Sequence, residues 1–215
     1  MSRQNEKVIK LPRLGLLTPT MDSTLLKIME ESGELARAVL LFLECAEVEK
    51  EQWLIPVAEE LLDVAQTCVT MIFVLEDIYE IDPGEMIGIH LDKLNKKGYP
   101  YDPNIRYYVQ SSGQYKYLNL PRLQIPQVTL LKTVCKIQEE IGELTQVLGK
   151  NAGKSGEKTK NLDAAGLLKD STLELLDIAQ CCFTMLYMLE DKYQMDMDSV
   201  LSKHLEKLKA KGYCS

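Results

Sequence analysis

Two groups of four carboxylates have the spacing of a cation site. Glu31 and Glu34 lie three residues apart, as do Glu60 and Asp63, and the pattern returns in Glu140 and Glu143 with Glu174 and Asp177. On a helix, residues three apart share a face. Two such helices laid antiparallel would bring four carboxylates together. Leu61, Leu62 and Ala65 flank Glu60 and Asp63, so these acids sit on an otherwise apolar helix. Unpaired carboxylates in that setting repel one another and take up protons, and a divalent cation removes the conflict. An all-oxygen donor set selects a hard ion, Mg2+ or alternatively Mn2+. Di-iron bundles use Glu-x-x-His, whereas His90 and His204 lie far from these motifs and read as helix-surface or interface residues. The plain alternative is a solvated helix face, since Lys27 and Lys136 stand four residues before Glu31 and Glu140, the spacing of surface ion pairs. Recurrence of both motifs in both groups favours the cation.

The recurrence extends along the chain. Leu11-Pro12-Arg13-Leu14 returns as Leu120-Pro121-Arg122-Leu123, and Lys27 to Leu35 returns as Lys136 to Leu144, both displaced by 109 residues. Glu60-Leu61-Leu62-Asp63 returns as Glu174-Leu175-Leu176-Asp177, and His90-Leu91-Asp92-Lys93-Leu94 as His204-Leu205-Glu206-Lys207-Leu208, both displaced by 114. The extra residues of the second copy fall in Lys150 to Asp163, whose Gly, Lys, Ser and Asn content reads as a surface loop, where added length costs little closure entropy. The expected organisation is a first unit over residues 1–99, a joint over 100–119 and a second unit over 120–215. In the joint, Ile105 to Gln110 and Gln114 to Leu118 flank Ser111-Ser112-Gly113, which suits either a small hairpin or an irregular linker.

The elements that must position the acids are helices. Asp22 or Ser23 can cap a first helix running to about Cys45, with Leu25, Leu26, Ile28, Met29, Leu35 and Ala38 at helical spacing. Pro56 suits the first turn of a second helix ending near Tyr79. Asp82-Pro83-Gly84-Glu85 opens a third, which stops at Gly98. The second copy repeats this from about Val128 to Gly212, and no strand-period segment appears inside either copy. Val64 to Leu75 is so apolar that it must be buried nearly all round. A unit of this size cannot hide that surface alone. The expected fold is therefore all-α, with the two tandem units packed as an intrachain pseudo-dimer helix bundle.

Composition narrows the classes. The chain has 215 residues and a net charge of −7, which disfavours nucleic-acid binding and leaves a metal-chelated nucleotide open. Met1 to Lys10 lacks the apolar stretch of a secretory signal. No apolar run reaches about 18 residues, so no membrane association is expected. The six cysteines form no C-x-x-C and read as reduced core thiols of a cytoplasmic protein. Gly33 and Gly142, helix-unfriendly residues beside the acids, suggest close approach of a helix or ligand. Gly149-Lys150-Asn151-Ala152-Gly153-Lys154-Ser155 imitates a P-loop but is one residue short and follows a helix rather than a strand.

Glu30-Glu31-x-x-Glu34 with Glu60-x-x-Asp63, and again Glu139-Glu140-x-x-Glu143 with Glu174-x-x-Asp177, resembles the motif of the MazG-like, all-α nucleoside triphosphate pyrophosphohydrolases. Leu-Pro-Arg-Leu before the first helix, Glu-Leu-Leu-Asp-x-Ala-Gln and the closing Lys-Gly-Tyr extend the resemblance over nearly the whole chain. It implies a dimerising helical fold, which the duplication supplies within one chain while leaving room for two chains to pair further. It implies Mg2+ held by Glu31, Glu34, Glu60 and Asp63, and by Glu140, Glu143, Glu174 and Asp177. It implies hydrolysis of a nucleoside triphosphate between the α- and β-phosphates, to a monophosphate and pyrophosphate, in a role such as nucleotide-pool clearance. Glu30 and Glu139 would support the metal ligands or orient the attacking water, and Lys93, Lys97, Lys207 and Lys211 would meet the phosphates. Leu94 and Leu208 stand where many family members carry an asparagine, and the longer spacing between acidic motifs in the second copy is a further departure. The reading from another class is a non-catalytic helical module that binds a partner or a nucleotide.

Overall fold

In the computed structural model, the residues described are 9–15, 18–102, 109–112, 115–123, 125–151 and 164–214. The chain is all-α in character. Its helices are α1 (Met21–Glu44), α2 (Lys50–Tyr79), α3 (Pro83–Lys96), α4 (Leu130–Asn151), α5 (Ala164–Tyr193) and α6 (Met197–Ala210). Three short strands, β1 (Lys10–Pro12), β2 (Val109–Ser112) and β3 (Tyr115–Asn119), form one antiparallel sheet in the order β1-β3-β2, with Leu11 opposite Leu118 and Val109 opposite Leu118. The joint thus carries a hairpin, and the chain ahead of α1 adds a third strand to it. β1 is too short for a period-two pattern to reveal. The remaining residues of the joint, 103–108 and 113–114, lie outside the described set, as do 152–163 of the second copy.

Local chemistry sets the helix ends. Thr20 caps α1: its hydroxyl accepts from the Ser23 amide at 3.1 Å while the Ser23 hydroxyl accepts from the Thr20 amide at 2.9 Å. The cap therefore falls two or three residues ahead of the expected Asp22 or Ser23, and Ser23 serves as its reciprocal partner. Asp82 caps α3 through the Gly84 amide at 2.7 Å, with Pro83 at the first helical position, as expected. Pro56 does not start α2. A 3-10 turn, Glu47–Glu49, leads into the helix at Lys50 and leaves Pro56 inside it. Propensity at one residue yields here to packing, because the turn ahead of Pro56 already buries Leu54.

α2 and α5 form the centre and pack against each other, with α1 laid on α2 and α4 on α5. From Val64 to Leu75 every residue except half-buried Thr67 is buried. α5 is long and apolar enough on average to cross a membrane, but 78% of its most apolar window is covered by the other helices. The short last helices cross over: α3 of the first copy packs on α5, and α6 of the second on α2. On α1, Ile28, Leu35 and Ala38 face the core, whereas Leu26 and Met29, expected there, are exposed. The six cysteines are free; Cys68 and Cys182 are buried in the central pair, while Cys135 is exposed and not a core thiol.

The same contacts recur in the two copies. Gln66 on α2 donates to the Pro12 carbonyl at 2.9 Å, and Gln180 on α5 donates to the Pro121 carbonyl at 2.9 Å. Arg13 pairs with Asp77, and Arg122 with Asp191. At the far ends of α3 and α6, Gly98 (φ 74°) and Gly212 (φ 71°) take the left-handed conformation that an L side chain resists. The amides of Tyr99 and Tyr213 then reach back to the Leu94 and Leu208 carbonyls at 3.1 and 3.0 Å. Each Lys-Gly-Tyr tail is thereby folded back beside an acidic cluster.

Candidate functional site

The helices bring the acids together as two trios. One carboxylate oxygen each from Glu31 and Glu34 (α1) and Glu60 (α2) lie within 4.8 Å of one another, and so do those of Glu140 (α4), Glu174 and Asp177 (α5). Asp63 stands outside the first trio and Glu143 outside the second. Glu31 and Glu140 are buried. Lys27 reaches Glu31 at 2.6 Å and Glu30 at 3.2 Å, and Lys136 reaches Glu140 at 2.6 Å and Glu139 at 3.0 Å. The surface ion pairs foreseen as the plain alternative thus exist, beside clusters in which Glu31, Glu140 and Asp177 are buried, Glu60 and Glu174 half-buried and Glu34 exposed. Glu30 and Glu139 are exposed partners of those lysines and belong to neither trio.

Besides Lys27 and Lys136, each cluster meets cations from the other copy. Lys93 of α3 pairs with Asp177, and Lys207 of α6 pairs with Asp63. His90 lies beside Asp177, with Nδ1 at 3.0 Å from Oδ1, and His204 beside Asp63 at 3.5 Å. Neither histidine is on a surface: His90 is 0% and His204 4% exposed. Sequence reasoning gave them no part in the site. The signal was present, since each stands three residues before a lysine assigned to phosphate, in a segment that repeats as a block.

A cavity opens beside each cluster, and the two are lined at matching positions. The one at Asp63, about 370 Å³, is bordered by Lys27, Glu31, Thr67, Leu208, Lys211 and Tyr213 among others. The one at Asp177, about 320 Å³, is bordered by Lys136, Glu140, Cys181, Leu94, Lys97 and Tyr99 among others. Each size falls in the range of small-molecule sites. Of the lysines expected at phosphate, Lys97 and Lys211 line the cavities, Lys207 does so as well, and Lys93 is held on Asp177.

Electrostatics sets the carboxylates against one another. Burial first, then the neighbouring acids, raises both Glu60 and Glu174 to a pKa of about 7. Burial also raises Glu31 and Glu140, against the pull of Lys27 and Lys136. Asp177 goes the other way: burial pushes it up, and His90 and Lys93 together more than offset that. Oε2 of Glu60, Glu140 and Glu174 is buried without a hydrogen-bond partner among the described residues. Oxygen-only trios holding orphaned carboxylate oxygens fit a hard divalent cation, which would satisfy both the lone pairs and the charge.

Gly33 and Gly142 are not places of close approach within the protein. Both are exposed, and a Cβ built on either meets nothing within 4 Å. Gly33→Ala and Gly142→Ala are each expected to stabilise the chain by about 0.5–1 kcal/mol through helix propensity, read as a rise in thermal midpoint. Loss of ligand affinity alongside that rise would place the ligand over the glycine. The P-loop imitation is helical at Gly149, Lys150 and Asn151, and its remainder lies outside the described residues.

A scan against protein-family models finds no match, and searches of curated proteins and of solved structures find no significant one.

Proposed function

We propose that the protein is a Mg2+-dependent nucleoside triphosphate pyrophosphohydrolase of MazG-like type, with two composite sites arranged as an intrachain pseudo-dimer. The observation that carries this reading is the pairing, in both copies, of a carboxylate trio with an adjoining cavity bordered by lysines. Glu31, Glu34 and Glu60, with Asp63 behind them, would hold Mg2+ at one site. Glu140, Glu174 and Asp177, with Glu143 at the rim, would hold it at the other. Bound there, Mg2+ would polarise the α-phosphate and steady the leaving pyrophosphate.

The chain's own groups then have defined tasks. Phosphoryl transfer asks mainly for positioning and charge neutralisation. Lys97 and Lys211, at the cavity edges, attract the β- and γ-phosphates, and Lys93 and Lys207 join them when phosphate oxygens compete with Asp177 and Asp63 for the ammonium. Tyr99 and Tyr213, with Leu94 and Leu208, wall the nucleoside half of the cavity and exclude water from it. Water attacks the α-phosphorus, the bond to the bridging oxygen breaks, and the electron pair leaves with pyrophosphate. Glu30 and Glu139, at the solvent edge of α1 and α4, take the proton of the attacking water.

The test is pyrophosphate release from a panel of ribo- and deoxynucleoside triphosphates, with Mg2+ and then with excess EDTA. Metal-dependent release of pyrophosphate with the matching monophosphate is expected for at least one substrate. No release across the panel would end the hydrolase reading and leave a nucleotide- or partner-binding module.

A further inference from the structure

The two acidic clusters differ in what stands behind them. On α5, Gln180 Nε2 donates to the Pro121 carbonyl at 2.9 Å and to Thr184 Oγ1 at 3.1 Å. Those two bonds fix the amide and turn its Oε1 toward His90 Nε2, 3.4 Å away. His90 Nδ1 in turn lies 3.0 Å from Asp177 Oδ1, within donor–acceptor distance although not in line. A chain of contacts thus runs from the backbone through Gln180 and His90 to the carboxylate, and His90 comes from the other copy. On α2 the chain is open. Gln66 holds Pro12 and Thr70 in the same way, at 2.9 and 3.3 Å. Its Oε1 and His204 Nε2 are nevertheless both buried without a partner among the described residues, and His204 Nδ1 stands 3.5 Å from Asp63.

The acids follow this difference. Asp177, beside the histidine that meets its glutamine, is a member of its trio, whereas Asp63, beside the one that does not, is not. Glu140 in the Asp177 trio is 3% exposed and keeps Oε2 without a partner. A carboxylate fixed by a buried partner is ready to coordinate, and one that must first reorient is not.

Resting on the reading of the trios as cation sites, we infer that His90, held by Gln180, is a positioning residue for Asp177, and that the Asp177 site binds a divalent cation more tightly than the Asp63 site. The test is Mn2+ titration of the EDTA-stripped full chain by calorimetry. Two classes of site are expected, differing by about tenfold or more, with Glu174→Gln removing the tight one and Glu60→Gln the weak one. His90→Leu should weaken the tight class by roughly 10–100-fold. His90→Asn, which keeps an N–H near the place of Nδ1, should restore most of that affinity, and His204→Leu should leave the tight class unchanged. If melting in EDTA shows that His90→Leu is unfolded, Gln180→Met carries the same expectation. Equal sites in the wild type, a tight class lost with His204→Leu, or His90→Asn as damaging as His90→Leu would each overturn the inference. Absence of any Mn2+ binding would instead overturn the cation reading itself.

Discussion

Glu174→Gln is expected to lower Mg2+-dependent pyrophosphate release on the order of 10²–10³-fold at its site while raising the stability of the metal-free protein. A lost metal ligand removes several kcal/mol of transition-state stabilisation, and each 1.36 kcal/mol is about a factor of ten. Glutamine keeps the shape and removes the charge. In the metal-free chain that charge is unwelcome, because burial and the nearby Asp177, Glu143 and Glu140 already push Glu174 to about 7. Glu60→Gln should act in the same way on the first trio, where burial, Asp63, Glu34 and Glu31 raise Glu60 to about 7. The double variant should fall to the uncatalysed background. Opposite movement of stability and activity is the signature of a functional group held against its own electrostatics. It also rules out the trivial cause of inactivity, since a variant that melts higher has not failed to fold. If Glu174→Gln melted lower than wild type without metal, the carboxylate would be a structural member of the bundle and its part in catalysis would lose its support. Activity unchanged in the double variant would remove both trios from the reaction.

What the sequence made legible was local or repeated. The all-round burial of Val64 to Leu75 followed from composition alone, the Asp82 cap and the glycine ends at Gly98 and Gly212 from residue chemistry, and the grouping of the acids from helical spacing. The misses have one physical origin, that tertiary packing is not written in short windows. Pro56 carried a strong first-turn preference, yet the chain extended the helix ahead of it to bury Leu54. Leu26 and Met29 kept the helical period of α1 but point outward, because period identifies a stripe and not its width. Gly33 and Gly142 looked like contact points and face open space. The crossing of α3 onto α5 and of α6 onto α2 could not be read from either copy alone. That crossing places His90 and Lys93 on Asp177, and His204 and Lys207 on Asp63, so each site draws on both copies. A duplicated pair of acidic motifs marked carboxylates that come together, while the residues behind them depended on which copy's last helix arrives.

The thermal midpoint should gain little from Mg2+ near pH 5 and most above about pH 7.5, where the carboxylates are ionised. Two half-buried acids with folded-state values of about 7 bind more protons than the unfolded chain does. Without metal their contribution to stability is therefore fully present at low pH and is lost as pH rises from about 4.5 through about 7. His204 opposes this: burial lowers it to about 4, so its contribution is lost as pH falls below about 6.5. The pH profile of the metal-free protein alone thus mixes the two signs. The difference between melts with and without Mg2+ does not, because the part of His204 that is common to both melts cancels. Protons compete with Mg2+ for the same oxygens, so the gain follows ionisation of Glu60 and Glu174 against the fixed charges of Lys207 and Lys93 that face them. At a hundredfold excess over Kd one site contributes about 2.7 kcal/mol, which for a chain of this size is a rise on the order of 5–10 °C. Ca2+, larger and content with irregular oxygen cages, should stabilise as well, whereas Na+ at equal ionic strength should not. A gain from Mg2+ that is the same at both ends of the pH range would show that the cation acts on the surface at large, and no gain at any pH would leave the orphaned oxygens of Glu60, Glu140 and Glu174 without a ligand.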